Sequence, residues 1–172
     1  MPRKSYATDA PTWTLPASGQ PYAATIQAAA DTYGVPVLVL ARVLWQESHF
    51  RADIISGEVE SATGAQGIAQ FMPETAEDYG VDPLDAVSAI YGAAHVLRDY
   101  RRLTGDVDWA HAVAAYNAGP GNINDAAAAA RKAKANGLLE WLDYLPTSVA
   151  NQAQTQNYIT QVAADLGQVL FV

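Results

Sequence analysis

Apolar residues recur at helical spacing along most of this chain, and the strict alternation expected of strands is almost absent. The pattern predicts a helix over residues 22–33, closed by Gly34, and a second opened by Pro36 and running to about Ser48. Pro73 opens a short helix stopped by Gly80. Asp82 and Pro83 read as the cap and first residue of a long helix, ended by Gly105, with Val87, Ile90, Tyr91, Ala94 and Leu97 on one face. A helix over 108–117 halts at Gly119 and Pro120. An alanine-rich one spans 124–135 and stops at Gly137, and the last runs over about 149–170. The expected architecture is all-α.

Two stretches break the pattern. Residues 1–21, with Pro2, Pro11, Pro16 and Pro21 and no apolar period, read as an extended N-terminal arm, so the domain proper is expected over 22–172. Between Arg51 and Met72, Gly57, Gly64 and Gly67 punctuate an irregular segment, and loops of that length are usually functional or disordered.

Length and composition narrow the function. The 172 residues suit one domain. No apolar run reaches the roughly 18 residues of a membrane span, and residues 1–22 lack the apolar core of a secretory signal. The absence of cysteine excludes a thiol nucleophile and disulfides. Ten basic against eighteen acidic residues give a net charge of −8, which opposes nucleic acid and anionic membrane as partners.

Some side chains stand out against their helices. Glu47 follows Leu40, Val43 and Leu44 by seven, four and three positions, so its carboxylate falls on the apolar stripe. Desolvated there, a carboxyl stays protonated near neutrality, the state a general acid needs. The alternative is that Glu47 turns to solvent or pairs with Arg42 or Arg51. Asn117 repeats the spacing behind Ala110, Val113 and Ala114, one residue before the stop, where it either enters a site or caps its own helix. Tyr116 fits packing as well as function, and Tyr158 borders the stripe of Ile159, Val162, Ala163 and Leu166. His49, His95 and His111 are scattered without metal-ligand spacing, and Asp78, Asp82 and Asp85 sit where caps and solvated faces put carboxylates. No metal site and no cofactor are expected.

Taken in order, Glu47-Ser48-His49-Phe50, the run from Gly64-Ala65-Gln66-Gly67-Ile68-Ala69-Gln70-Phe71-Met72-Pro73 to Ala76, Ala114-Ala115-Tyr116-Asn117-Ala118-Gly119-Pro120-Gly121 and, more weakly, Gln154-Thr155-Gln156-Asn157-Tyr158-Ile159 resemble the catalytic domain of soluble lytic transglycosylases. These are lysozyme-like enzymes that cut bacterial peptidoglycan, and the resemblance covers about residues 22–170. It implies a goose-type-lysozyme-like fold in which Glu47 is the sole catalytic acid and base. Gln70 and Asn117 would bind glycan, Tyr116 and Met72 shape the cleft, and Tyr158 direct its hydroxyl toward the centre, with Ser48 beside the acid on the substrate side. A serine that orients the acid is expected either nine residues after it, at Ser56, or three before Gly64-Ala65, at Ser61; an insertion of the GEVES type between them reconciles the two registers. Ala69 stands where a Met is usual and Gln154 where a Glu is common.

The implied reaction cleaves the β-1,4 bond between N-acetylmuramic acid and N-acetylglucosamine with formation of a 1,6-anhydro ring. A hydrolysing muramidase and a non-catalytic peptidoglycan-binding module are the competing readings. Peptidoglycan glycan strands are the expected partner. The expected place of action is the periplasm or cell wall, with the arm as a tether to a virion or other carrier.

Overall fold

The computed structural model describes residues 9–59, 61–135, 137–149 and 152–172, so the outer part of the expected arm, residues 1–8, lies outside it. Among the described residues the elements are helices, and the extended pairing recorded is a lone antiparallel bridge between Gln66 and Phe71. The described residues divide into two compact units, one over Thr14–Arg98 and one that joins those up to Trp13 with those from Asp99 to Val172.

In the first unit a 3-10 helix, Ala17–Tyr22, leads into α1, Ala23–Tyr33, which stops at Gly34. Small buried side chains, Ala29 and Ala30 beside Ile26, let α1 lie close on α2, Val37–Ser48. α2 buries Leu40, Val43 and Leu44 completely, as its stripe requires. A short α3, Ala52–Ile55, interrupts the segment expected to be irregular. α4, Pro73–Tyr79, starts on its proline and ends at Gly80.

The long helix α5 spans Ala86–Leu103. Its start corrects the sequence expectation: the capping carboxylate belongs to Asp85, which accepts from Ser88 N at 2.7 Å, while Asp82 takes Leu84 N at 3.0 Å in a local turn. Pro83 therefore precedes the helix instead of opening it. Ile90, Ala94 and Leu97 are buried as expected, but Val87 is 55% exposed because the buried arc is rotated toward Ala89, Ala93 and Val96.

In the second unit α6, Trp109–Ala118, is capped by Asp108, which accepts from His111 N at 2.9 Å and lies 2.7 Å from His111 Nδ1. The His111 ring stacks on Trp141 with centroids 4.4 Å apart. α7 spans Pro120–Lys132, several residues earlier than expected, since a proline that cannot continue one helix is well suited to begin the next. Packing on α7 is a 3-10 helix, Glu140–Tyr144, with Trp141 and Leu142 buried. α8 is Gln152–Leu166, shorter than expected, and a 3-10 turn, Gly167–Phe171, succeeds it. The change of helix type coincides with a strap from the N-terminal side: Gln168 N donates to Asp9 O at 2.8 Å, and Thr12 N and Trp13 N both donate to Asp165 O. Gly167, at φ 51°, carries no side chain, and a β-carbon there would overlap the Asp9 carbonyl oxygen.

Candidate active site

Six of the expected site residues, Glu47, Ser48, Ser56, Ser61, Gln70 and Met72, belong to the unit Thr14–Arg98. Glu47 is half-buried, on the last turn of α2 and at the end of the fully buried Leu40, Val43, Leu44 stripe. Directly after it the chain turns an unusual corner. His49 and Phe50 both adopt left-handed backbone, at φ 52° and 53°, which costs a non-glycine residue about 1–2 kcal/mol each.

Two features hold that corner. The buried Ser48 hydroxyl donates to Leu44 O at 3.1 Å and accepts from Phe50 N at 3.2 Å, bridging the helix to the first residue that has left it. The Phe50 ring, 4% exposed, is seated on Gly19 and Leu15 and stacks on Tyr22 at 6.0 Å, a burial worth roughly 1.5–3 kcal/mol. Ser48 thus acts inside the fold, shaping the backbone that presents Glu47, and its hydroxyl is occupied by main-chain groups. The other side of α2 carries a second support: Arg42, 1% exposed, donates to Gln46 Oε1 at 2.8 Å and lies 4.6 Å from the centre of the Trp45 ring.

Arg51, weighed in the sequence as a partner for Glu47, instead forks onto Asp53, with Nε 3.1 Å from Oδ1. That side-chain hydrogen bond holds the Asp53 carboxyl below the usual carboxylate range and raises the Arg51 guanidinium. Neither candidate serine bonds Glu47. Ser56 donates to Asp53 O at 3.3 Å, and Ser61 shares a 2.8 Å hydrogen bond with Thr63.

Gln70 sits on a tight turn closed on both sides. Gln66 and Phe71 exchange backbone hydrogen bonds of 3.0 Å, and Gln70 N donates to Gly67 O at 3.2 Å. Gln70 is itself left-handed, at φ 51°, and its Nε2 donates to Gly67 O at 2.9 Å. Gly67, at φ 73°, lies against the backbone ahead of α5, where a β-carbon would overlap the Pro83 carbonyl oxygen. Ile68 and Ala69 point into the core with no exposed surface, so the alanine in place of a Met packs the turn from inside. Met72, 43% exposed, precedes α4.

Tyr116, Asn117 and Tyr158 belong to the second unit. Asn117 is exposed on the last turn of α6, and its Oδ1 accepts from the hydroxyl of Thr155 on α8 at 2.7 Å. Gly119 fills the C-cap position, so Asn117 does not cap its own helix. Tyr158, 5% exposed, lies three residues beyond Thr155 on the same buried face of α8. Tyr116 is half-buried beside Asn117. Sequence reasoning missed Thr155, although its place in the stripe with Tyr158, Ile159 and Val162 was readable.

The profile of the family described as Transglycosylase SLT domain matches residues 24–139, more than half of the chain. This chain belongs to the transglycosylase SLT domain family. The fold of an SLT transglycosylase domain is all-α and lysozyme-like, in keeping with the helices of both units. Among similar proteins, a "Membrane-bound lytic murein transglycosylase F 1" of Alkalilimnicola ehrlichii is 38% identical over 110 residues, 60% of this chain and 21% of that protein. A "Membrane-bound lytic murein transglycosylase F" of Stutzerimonas stutzeri is 31% identical over 131 residues, 71% of this chain and 25% of that protein. The "Transglycosylase" of Enterobacteria phage PRD1 is 36% identical over 101 residues, 58% of this chain and 36% of that protein. The matched part of the chain thus spans about a fifth to a third of these relatives. The SLT match takes in Glu47, Gln70 and Asn117, whereas Thr155 and Tyr158 lie beyond it.

Proposed function

We propose that this SLT domain is a peptidoglycan lytic transglycosylase with Glu47 as its single acid and base. The observation that carries the reading is a half-buried carboxylate at the end of a fully buried apolar stripe, held by a corner with two left-handed residues. Such a carboxyl is suited to donate a proton to the glycosidic oxygen between N-acetylmuramic acid and N-acetylglucosamine. As the C1–O4 bond breaks, the acid becomes a carboxylate. It then takes the proton from the muramoyl C6 hydroxyl, whose oxygen bonds C1 and closes the 1,6-anhydro ring. No water is consumed and the carboxyl is regenerated. One carboxylate suffices because the substrate's acetamido group stabilises the charge developing at C1, as in glycosidases that rely on substrate assistance.

Gln70, Met72, Tyr116, Asn117 and Tyr158 take glycan contacts in this reading, with Ser48 as a support for the acid. The relatives named lytic murein transglycosylases support murein as the substrate, and a murein substrate places the action at the cell wall. The phage relative also supports delivery by a particle, with the segment ahead of the Asp9–Gln168 strap as the tether. Digestion of purified sacculi and mass spectrometry of the products test the chemistry, because anhydro ends are lighter than hydrolysed ends by one water. Anhydromuropeptides are expected; release of reducing, hydrated muramic ends alone identifies a hydrolysing muramidase, and binding without release identifies a non-catalytic module.

A further inference from the structure

Two amide side chains flank the corner between α6 and α7, and they are used differently. Asn122 commits both ends to the fold: Nδ2 donates to Ala118 O at 2.7 Å, and Oδ1 accepts from the Ser148 hydroxyl at 2.9 Å. Asn117 commits one end. Its Oδ1 accepts from Thr155 at 2.7 Å, while its Nδ2 has no hydrogen-bond partner among the described residues and the side chain is exposed.

Thr155 uses its hydroxyl differently from three other threonines in or just past helices. Thr32, Thr104 and Thr160 each turn the hydroxyl back to the carbonyl four residues earlier, the default for a threonine in a helix. The Thr155 hydroxyl, 1% exposed, instead spans from α8 to an amide on α6 that lies 38 residues away in sequence. An asparagine amide has two ends of nearly the same shape, and turning it over exchanges a donor for an acceptor at the surface. Here the turn would take from a buried hydroxyl proton the acceptor it has.

We propose that Thr155 is a positioning residue that locks the Asn117 amide with its NH2 group outward, so that this position offers the glycan donors and no acceptor. The site then selects strands that bring an acceptor oxygen, such as an N-acetyl carbonyl, to Asn117. This rests on the glycan-cleaving reading above, and the test separates the two.

The experiment measures KM and kcat on soluble, uncrosslinked strands of alternating N-acetylglucosamine and N-acetylmuramic acid, with direct binding measured by calorimetry. Thr155→Val keeps the shape and removes the hydroxyl; KM is expected to rise about three- to tenfold, the yield of one neutral hydrogen bond, with kcat changed less than about twofold. Thr155→Ser should restore wild-type KM, and adding Thr155→Val to Asn117→Ala should raise KM no further than Asn117→Ala does. Should Thr155→Val fail to fold, Thr155→Ala carries the same test, since it also removes the hydroxyl that donates to Asn117 Oδ1 and should raise KM by the same factor. Equal KM for wild type and Thr155→Val, or a fall in kcat alone, overturns the positioning role and leaves the functional reading intact. A wild-type protein that neither binds nor cleaves the strands overturns the functional reading, and the proposal with it.

Discussion

Phe50→Ala puts the corner behind Glu47 to a quantitative test. Two left-handed residues, His49 and Phe50, store about 2–4 kcal/mol in backbone conformation. Against this stand the two hydrogen bonds of Ser48, about 0.5–1.5 kcal/mol each, and the seating of the Phe50 ring. Truncating a buried phenylalanine removes about 3–5 kcal/mol, which exceeds what Ser48 alone can hold against the strain. Alanine relieves none of the left-handed cost, because it too carries a β-carbon. We therefore expect a loss of about 3–5 kcal/mol in urea unfolding monitored by tryptophan fluorescence. At about 2–4 °C per kcal/mol for a chain of this size, the melting temperature falls by about 6–20 °C. Activity on sacculi, measured well below that temperature, should drop at least about tenfold, since the last turn of α2 loses its fixed register. A variant within about 1 kcal/mol of wild type and fully active would show that the ring does not hold the corner.

Glu47→Gln keeps shape and hydrogen bonding but cannot transfer a proton; release of anhydromuropeptides should fall by about 10²–10⁴ with an unchanged circular dichroism spectrum, while Asp78→Asn stays within a few fold. Gly67→Ala forces a methyl group onto the Pro83 carbonyl in a left-handed turn and should cost at least about 2 kcal/mol in urea unfolding; a neutral result would mean that the turn does not abut the start of α5. The Arg51–Asp53 pair sets a pH dependence whose sign is fixed by the lowered Asp53 carboxyl: its stabilisation is complete above the usual carboxylate range and is lost as the pH falls through the depressed folded-state value. The urea midpoints of wild type and Asp53→Asn should therefore differ most near neutrality and at low salt, and converge in acid. A gap that persists at low pH assigns it to another cause.

The sequence was readable where one segment decides its own structure. Leu40, Val43, Leu44 and Glu47 announce their face by spacing alone, and Gly34 and Gly80 are stops that need no distant partner. Legibility failed where distant residues vote. Asp82 and Asp85 are equivalent candidates to cap α5 until Ser88 bonds Asp85 and Gly67 closes on Pro83. Ser48 looked like a neighbour of the substrate because its motif places it beside Glu47, yet its hydroxyl is consumed by the Leu44 carbonyl and the Phe50 amide. Thr155 could be read as buried but not as a partner of Asn117, since helical periodicity gives a face and not the residue opposite it.

The backbone bonds that join Asp9 to Gln168 and both Thr12 and Trp13 to Asp165 have a mechanical consequence. Chain coming in at Asp9 and chain going out at Gln168 pass through one small doorway. A longer polypeptide can therefore carry this unit as a side pod, hung from two adjacent attachment points, with little entropy spent in closing the loop. Tension applied to both flanks is met first at that doorway, where three peptide hydrogen bonds bear it, and only afterwards by α6 and α8, which hold Asn117 and Thr155.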